Sequence, residues 1–161
     1  MAEKFVLRIW TDGSHIKGTD RMGYGALARY ADVSAELSCR VRGEGFSNPT
    51  LELMAACHAV RLLLEKEEAL VRKFSSVEVR ADYIGVEKYA NGGWCAARAS
   101  TKTPAFRNAA LRWDRAVQQL RRLLPCKVMW IKGHSGEAGN ERADALARCV
   151  TEIDTFGILF E

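Results

Sequence analysis

The chain of 161 residues lacks the marks of a secreted, membrane-bound or repeat protein. No apolar run approaches the length of a membrane span. Near the amino terminus Arg8 breaks the run Phe5-Val6-Leu7-Arg8-Ile9-Trp10, which is too short for the core of a signal peptide. The five cysteines, Cys39, Cys57, Cys95, Cys126 and Cys149, include no C-x-x-C pair, and an odd number cannot complete a disulfide framework. A reducing, cytoplasmic setting is therefore expected. None of the three histidines, His15, His58 and His134, pairs with another at zinc spacing. Repeats, low-complexity tracts and linkers are missing too, so residues 1–161 are expected to form one domain, a monomer, with residues 151–161 as an apolar tail.

Charge of one sign is not in great excess either. The net charge of +4, from 24 basic and 20 acidic residues, gives only a mild hint of a polyanionic partner. Distribution says more than the total: Arg98, Lys102, Arg107, Arg112, Arg115, Arg121, Arg122, Lys127 and Lys132 face one nearby acid, Asp114. A solvated helix face explains such a segment at least as well as a phosphate-binding surface.

What is present is alternation of helical and strand patterns. Residues 5–12 place Phe5, Leu7 and Ile9 on one face and Val6 and Trp10 on the other, which predicts a central strand ending at Asp12-Gly13. Residues 23–30 and 35–42 read as two more strands of an antiparallel meander. Ser47-Asn48-Pro49 starts a helix, with Asn48 as cap and Pro49 at the first helical position. Residues 76–82 alternate as a half-buried strand ending in Asp82, and a short helix covers 85–89. An amphipathic helix over 104–124 places Trp113 in the core and stops at Pro125, followed by a strand over 127–131. Asn140 is the candidate cap of a last helix bearing Ala143, Leu146, Ala147 and Val150. The order predicts an α/β fold with a mixed five-stranded sheet, meander plus parallel strands, and helices on both faces.

Four acids fall where elements end or begin: Asp12 and Asp82 at strand ends, Glu52 and Asp144 in the first turns of helices. Each alone has a plain explanation as a turn residue or a favourable charge near a helix N-terminus. Gathered together they would repel, and such a cluster persists where divalent cations neutralise it; Mg²⁺ suits hard oxygen ligands.

The surrounding residues resemble the type 1 ribonuclease H family over nearly the whole chain. The blocks are Thr11-Asp12-Gly13-Ser14, Gly23-Tyr24-Gly25-Ala26, Glu52-Leu53-Met54-Ala55-Ala56, Ala81-Asp82-Tyr83, and Lys132-Gly133-His134-Ser135-Gly136 running on to Asn140-Glu141-Arg142-Ala143-Asp144. The last block is the most specific. The resemblance implies the ribonuclease H-like fold and an endonuclease that cuts the RNA strand of RNA–DNA hybrids by two-metal-ion hydrolysis, leaving 5′-phosphate and 3′-hydroxyl ends. It implies Asp12, Glu52, Asp82 and Asp144 as ligands of two Mg²⁺ ions, with Mn²⁺ as a substitute, and His134 as an accessory group for proton transfer or product release. It also assigns Gly13 and Ser14 to the RNA strand, Ser47 and Asn48 to a DNA phosphate, and Asn140 to the substrate. Trp94 and Lys102 belong to a shortened basic grip, although Trp94 reads equally well as a core residue. His58 reads as structural.

The chain departs from the best-known bacterial members in the loop after Ser14, at Pro49, and in the short stretch after Asp82. Two other readings share parts of this pattern. A DNA-cutting nuclease of the same fold would share the acids, and a non-catalytic hybrid- or RNA-binding module would have lost some of them.

Overall fold

The computed structural model describes residues 3–44, 46–99 and 103–161. Its six-stranded sheet has the order β5-β4-β1-β2-β3-β6. Here β1 is Phe5–His15, β2 Met22–Tyr30, β3 Val33–Val41, β4 Phe74–Ala81, β5 Cys126–Trp130 and β6 Ile153–Asp154. The first three strands form the expected antiparallel meander, and β4 and β5 join β1 in parallel. Parallel neighbours require crossovers. These are α1 (Asn48–Leu64) with α2 (Glu67–Lys73), then α3 (Ile84–Ala90) with α4 (Pro104–Arg121); α5 (Ala138–Arg148) follows β5.

Alternation along β1 explains its central place. Leu7 and Ile9 are fully buried in a core shared with Leu53 and Val60 of α1, Val86 of α3, and Trp113 and Leu120 of α4. Trp10 and its β2 neighbour Leu27 turn to the opposite face, where Ala143 and Leu146 of α5 cover them. Trp113 has 0% exposure and donates its indole N–H to the Val86 carbonyl at 2.8 Å, which makes it the core residue its spacing predicts.

Several boundaries differ from the sequence expectation, each for a local reason. The sixth strand, β6, is two residues long and pairs with Leu37 and Ser38, too short to carry a periodic signal. β1 does not stop at Asp12 but continues paired with β2 as far as His15↔Met22. Helix α4 ends at Arg121, with Arg122 as its C-cap, three residues before the expected end. The cap of α1 is Ser47, whose Oγ accepts the Thr50 N–H at 3.3 Å; Asn48 is already helical. Likewise Glu137 holds the cap position of α5, and Asn140 lies inside its first turn. Helix α2 escaped notice because only Leu70 in it is buried, although acids in its first turn and bases in its last suit the helix dipole.

The apolar tail packs on its own chain. Phe156 and Leu159 are buried, and the Phe160 ring meets Phe74 edge to face at 6.3 Å. Among the described residues no helix is long and apolar enough to cross a membrane.

Candidate active site

Three of the four acids converge. Asp12 lies on the central strand. Asp82 follows Ala81, which pairs in register with Thr11, so two parallel neighbours carry their aspartates to the same end of the sheet. Glu52 comes from α1, which lies so close to β1 that a Cβ at Gly13 would sit 2.5 Å from the Glu52 backbone nitrogen. Only glycine allows that approach. One carboxylate oxygen from each of Asp12, Glu52 and Asp82 lies within 4.8 Å of the others.

The electrostatics of the trio are those of acids forced together. Asp12 and Glu52 are only 5% and 7% exposed. Burial pushes the Asp12 pKa up to about 6, with repulsion from Asp82 and Asp144 adding to it, while hydrogen bonds from Glu52 and the Gly13 N–H oppose the rise. Glu52 is driven well above the usual carboxylate range, first by burial and then by its hydrogen bond to Asp12. The same contact lowers Asp12 and raises Glu52, so of the two it is Glu52 that holds a proton more readily. Burial also raises Asp82. Glu52 Oε2 is buried without a hydrogen-bond partner. Hard oxygen donors, mutual repulsion and an orphaned oxygen together fit divalent cations.

Asp144 stands outside this trio. It projects from the second turn of α5 rather than the first, because the helix starts at Ala138. Arg148 donates to its Oδ2 at 2.7 Å. Its charge still raises Asp12 and Asp82, so it borders the same site. Asn140 is 3% exposed and hydrogen-bonds Asp82, lowering its pKa, while its own Oδ1 has no partner. That is a different task from the helix cap the sequence suggests.

His134 lies between β5 and α5 in a left-handed conformation, φ 54°, with its side chain exposed. It is close enough to Asp82 to lower that carboxyl's pKa. The preceding Gly133 rests against Asp82, where an added Cβ would be 2.9 Å from Oδ2.

The remaining candidates ring the cluster at different removes. The Gly13 N–H donates to Asp12 Oδ1 at 2.9 Å, and Ser14 pairs with Gly23 one residue further along β1. Ser47 is engaged with Thr50, and Asn48 Oδ1 accepts the His15 N–H at 2.6 Å, tying the start of α1 to the end of β1. Trp94 is 41% exposed and lies edge to face on Tyr89, so the wholly buried reading does not hold. Lys102 lies outside the described residues. His58 is structural as expected: its Nδ1 is 2.8 Å from the Tyr24 hydroxyl, and burial lowers its pKa.

Sequence patterns gave no notice of Trp130. At the end of β5 its indole N–H donates to the Asp82 carbonyl at 2.9 Å, while its backbone N–H is held by Glu87 at 2.6 Å. Only the pairing of β4 with β5 reveals this. A cleft of about 680 Å³ between α1 and α4, lined by Arg61, Glu65, Glu67, Arg112 and Arg115, contains none of Asp12, Glu52, Asp82 and Asp144.

Known proteins resemble this chain in sequence and in fold. The RNase H family model matches residues 4–152. Ribonuclease HI of Shewanella oneidensis is 32% identical over 165 residues, covering 96% of this chain and 96% of that protein. Ribonuclease H of Rhizobium etli is 36% identical over 144 residues, 87% of each. Among solved structures, LC11-RNase H1 in complex with RNA/DNA hybrid aligns with a TM-score of 0.62 at 19% identity, covering 87% of this chain and 92% of that one. RNase H1 of Halobacterium salinarum NRC-1 aligns with a TM-score of 0.59 at 20% identity, over 88% and 93%. At those identities the structural likeness speaks for the fold alone.

Proposed function

Because the chain belongs to the RNase H family, as a type 1 member, we propose that it hydrolyses the RNA strand of RNA–DNA hybrids at the cluster of Asp12, Glu52 and Asp82, completed by Asp144. The observation that carries the reading is the trio of carboxylates on adjoining elements, two buried and one half-buried, with one oxygen of each within 4.8 Å of the others. Two Mg²⁺ ions, or Mn²⁺ in their place, would be held by these four acids; when bound they supply charge neutralisation, an activated water and stabilisation of the departing 3′ oxygen. The products are then a 5′-phosphate and a 3′-hydroxyl.

Each residue has a task that its position supports. Asp12 and Glu52 would hold a cation as carboxylates, and the Gly13 N–H keeps Asp12 aimed into the cluster. Asn140 steadies Asp82 and leaves its Oδ1 free to accept a substrate hydroxyl. His134, on its exposed loop beside Asp82, moves a proton at the leaving or product oxygen. The Gly13–Ser14 backbone faces the RNA strand. Ser47, Asn48 and the start of α1 receive a DNA phosphate, while Trp94 and Lys102 extend the grip. The protein would act as a monomer in a reducing cytoplasm, where cysteines such as these stay as thiols.

End-labelled RNA–DNA hybrid, double-stranded RNA and double-stranded DNA are incubated with the protein in Mg²⁺, in Mn²⁺ and with chelator. Metal-dependent loss of the hybrid's RNA strand alone is the expected result. Cleavage of duplex DNA would move the assignment to a DNA-cutting relative of the fold, and no cleavage in either metal would leave a binding module.

A further inference from the structure

The segment between β5 and α5, residues 131–137, carries His134 and is pinned at both ends. At the near end Gly133 rests on Asp82, and the Ser135 hydroxyl donates to the Lys132 carbonyl at 2.6 Å. At the far end Glu137 Oε1 accepts two hydrogen bonds, from the indole N–H of Trp10 at 2.9 Å and from Arg80 at 2.7 Å.

Both donors are well placed to hold an anion still. Trp10 is on β1, two residues before Asp12, and is 7% exposed; Arg80 is on β4, two residues before Asp82. The Arg80 guanidinium also lies 5.7 Å from the Trp10 ring centre and reaches Glu78 at 3.3 Å. Gly139 completes the fit, since a Cβ there would come 2.2 Å from the Trp10 ring. Nothing larger than glycine lets the start of α5 settle on that indole. Charge-assisted bonds from two strands therefore fix one carboxylate three residues beyond His134.

The clamp has something to restrain. His134 is held at φ 54°, a conformation that costs a non-glycine residue energy and persists only where its surroundings impose it. We propose that Glu137 is a positioning residue: by bonding Trp10 and Arg80 it fixes the far end of the loop and so holds the His134 imidazole over the Asp82 side of the carboxylate cluster. This rests on the reading of His134 as a proton-transfer group. Glu137 touches neither substrate nor cation and works through the loop.

The test compares Glu137→Ala, Glu137→Gln, His134→Ala and the double variant Glu137→Ala/His134→Ala as full-length proteins. Glutamine keeps an Oε1 that can accept from both donors, so Glu137→Gln should fold and retain near-wild-type kcat. In Glu137→Ala, kcat is expected to fall about ten- to hundredfold with KM little changed, as expected when a reacting group is misplaced rather than removed. The same substitution in the His134→Ala background should then cost almost nothing, because the two act as one unit. In the metal-free protein the His134 ring resonances should broaden or shift in Glu137→Ala and return to their wild-type positions in Glu137→Gln.

A kcat loss of equal size in both backgrounds overturns the proposal. So does unchanged kcat in Glu137→Ala while His134→Ala is slow. Weakened Mg²⁺ binding to Glu137→Ala by calorimetry would also overturn it, by placing the effect on α5 and Asp144. Wild-type kcat in His134→Ala is a separate failure, which removes the role of His134 itself and the clamp's purpose with it.

Discussion

Replacing Asp12 by asparagine should make the metal-free protein more stable while abolishing its activity. Burial raises the Asp12 pKa from 3.8 to about 6, a displacement worth about 3 kcal/mol at 1.36 kcal/mol per pH unit. Because Asp12 and Glu52 lie close enough to titrate as a pair, part of that strain stays with Glu52 in the variant, and about 2 kcal/mol is the expected gain. Asparagine is isosteric, its Oδ1 can still accept the Gly13 N–H, and its amide can donate to Glu52, so no new orphaned group is made.

The pH dependence follows from the direction of the shift. The unfolded chain releases this proton near its ordinary pKa of 3.8, whereas the folded chain keeps it until about 6. Wild-type stability is therefore lost as pH rises through that window, and the penalty is complete above it. The variant's advantage should be small at about pH 4, roughly a fifth of its full size, and full at about pH 7. Urea denaturation of both proteins in chelator, at these two pH values, measures it; a gain of about 2 kcal/mol corresponds to roughly 4–8 °C in Tm for a chain of this size. A variant less stable than wild type at neutral pH, or stabilised equally at both, would refute the account of the cluster as strained by charge. Hybrid binding should survive largely intact in the same variant.

Other outcomes follow from the same coordinates. Saturating Mg²⁺ should stabilise the wild-type protein by about 2.7 kcal/mol at a hundredfold excess over Kd, seen as a higher Tm, and calorimetry should show that increase collapsing in Asp12→Asn. Ala31, at the turn between β2 and β3, has a φ of 49°, so Ala31→Gly should stabilise by about 0.5–1 kcal/mol in chemical denaturation. Trp113→Ala empties a site of 0% exposure and removes the indole bond to the Val86 carbonyl; a loss of about 3–5 kcal/mol is expected, with the cleavage rate per folded molecule preserved.

Much of this protein was legible as sequence because its elements are written in short-range periodicity. Apolar residues on both faces of 5–10 mark a central strand, the helical spacing of Trp113 marks core, and the meander shows as two neighbouring strand patterns. Asp12, Glu52 and Asp82 could be nominated from their motifs and from their places at element ends. Their meeting could not, because it depends on the parallel register of β1 with β4 and on the depth of α1 against Gly13. Residue types alone also could not decide between Ser47 and Asn48 as the cap, since either side chain can accept an N–H and only the path of the chain past His15 separates them. Asn140 is capable of capping for the same reason, yet its helix begins two residues earlier and its amide turns to Asp82. The partners of Glu137 lie 57 and 127 residues away in sequence, so no local pattern announces them. Periodicity fixes which face of each element is buried; which charged groups meet at the edge of that buried layer is decided only when the elements pack, because electrostatics acts across space and not along the chain.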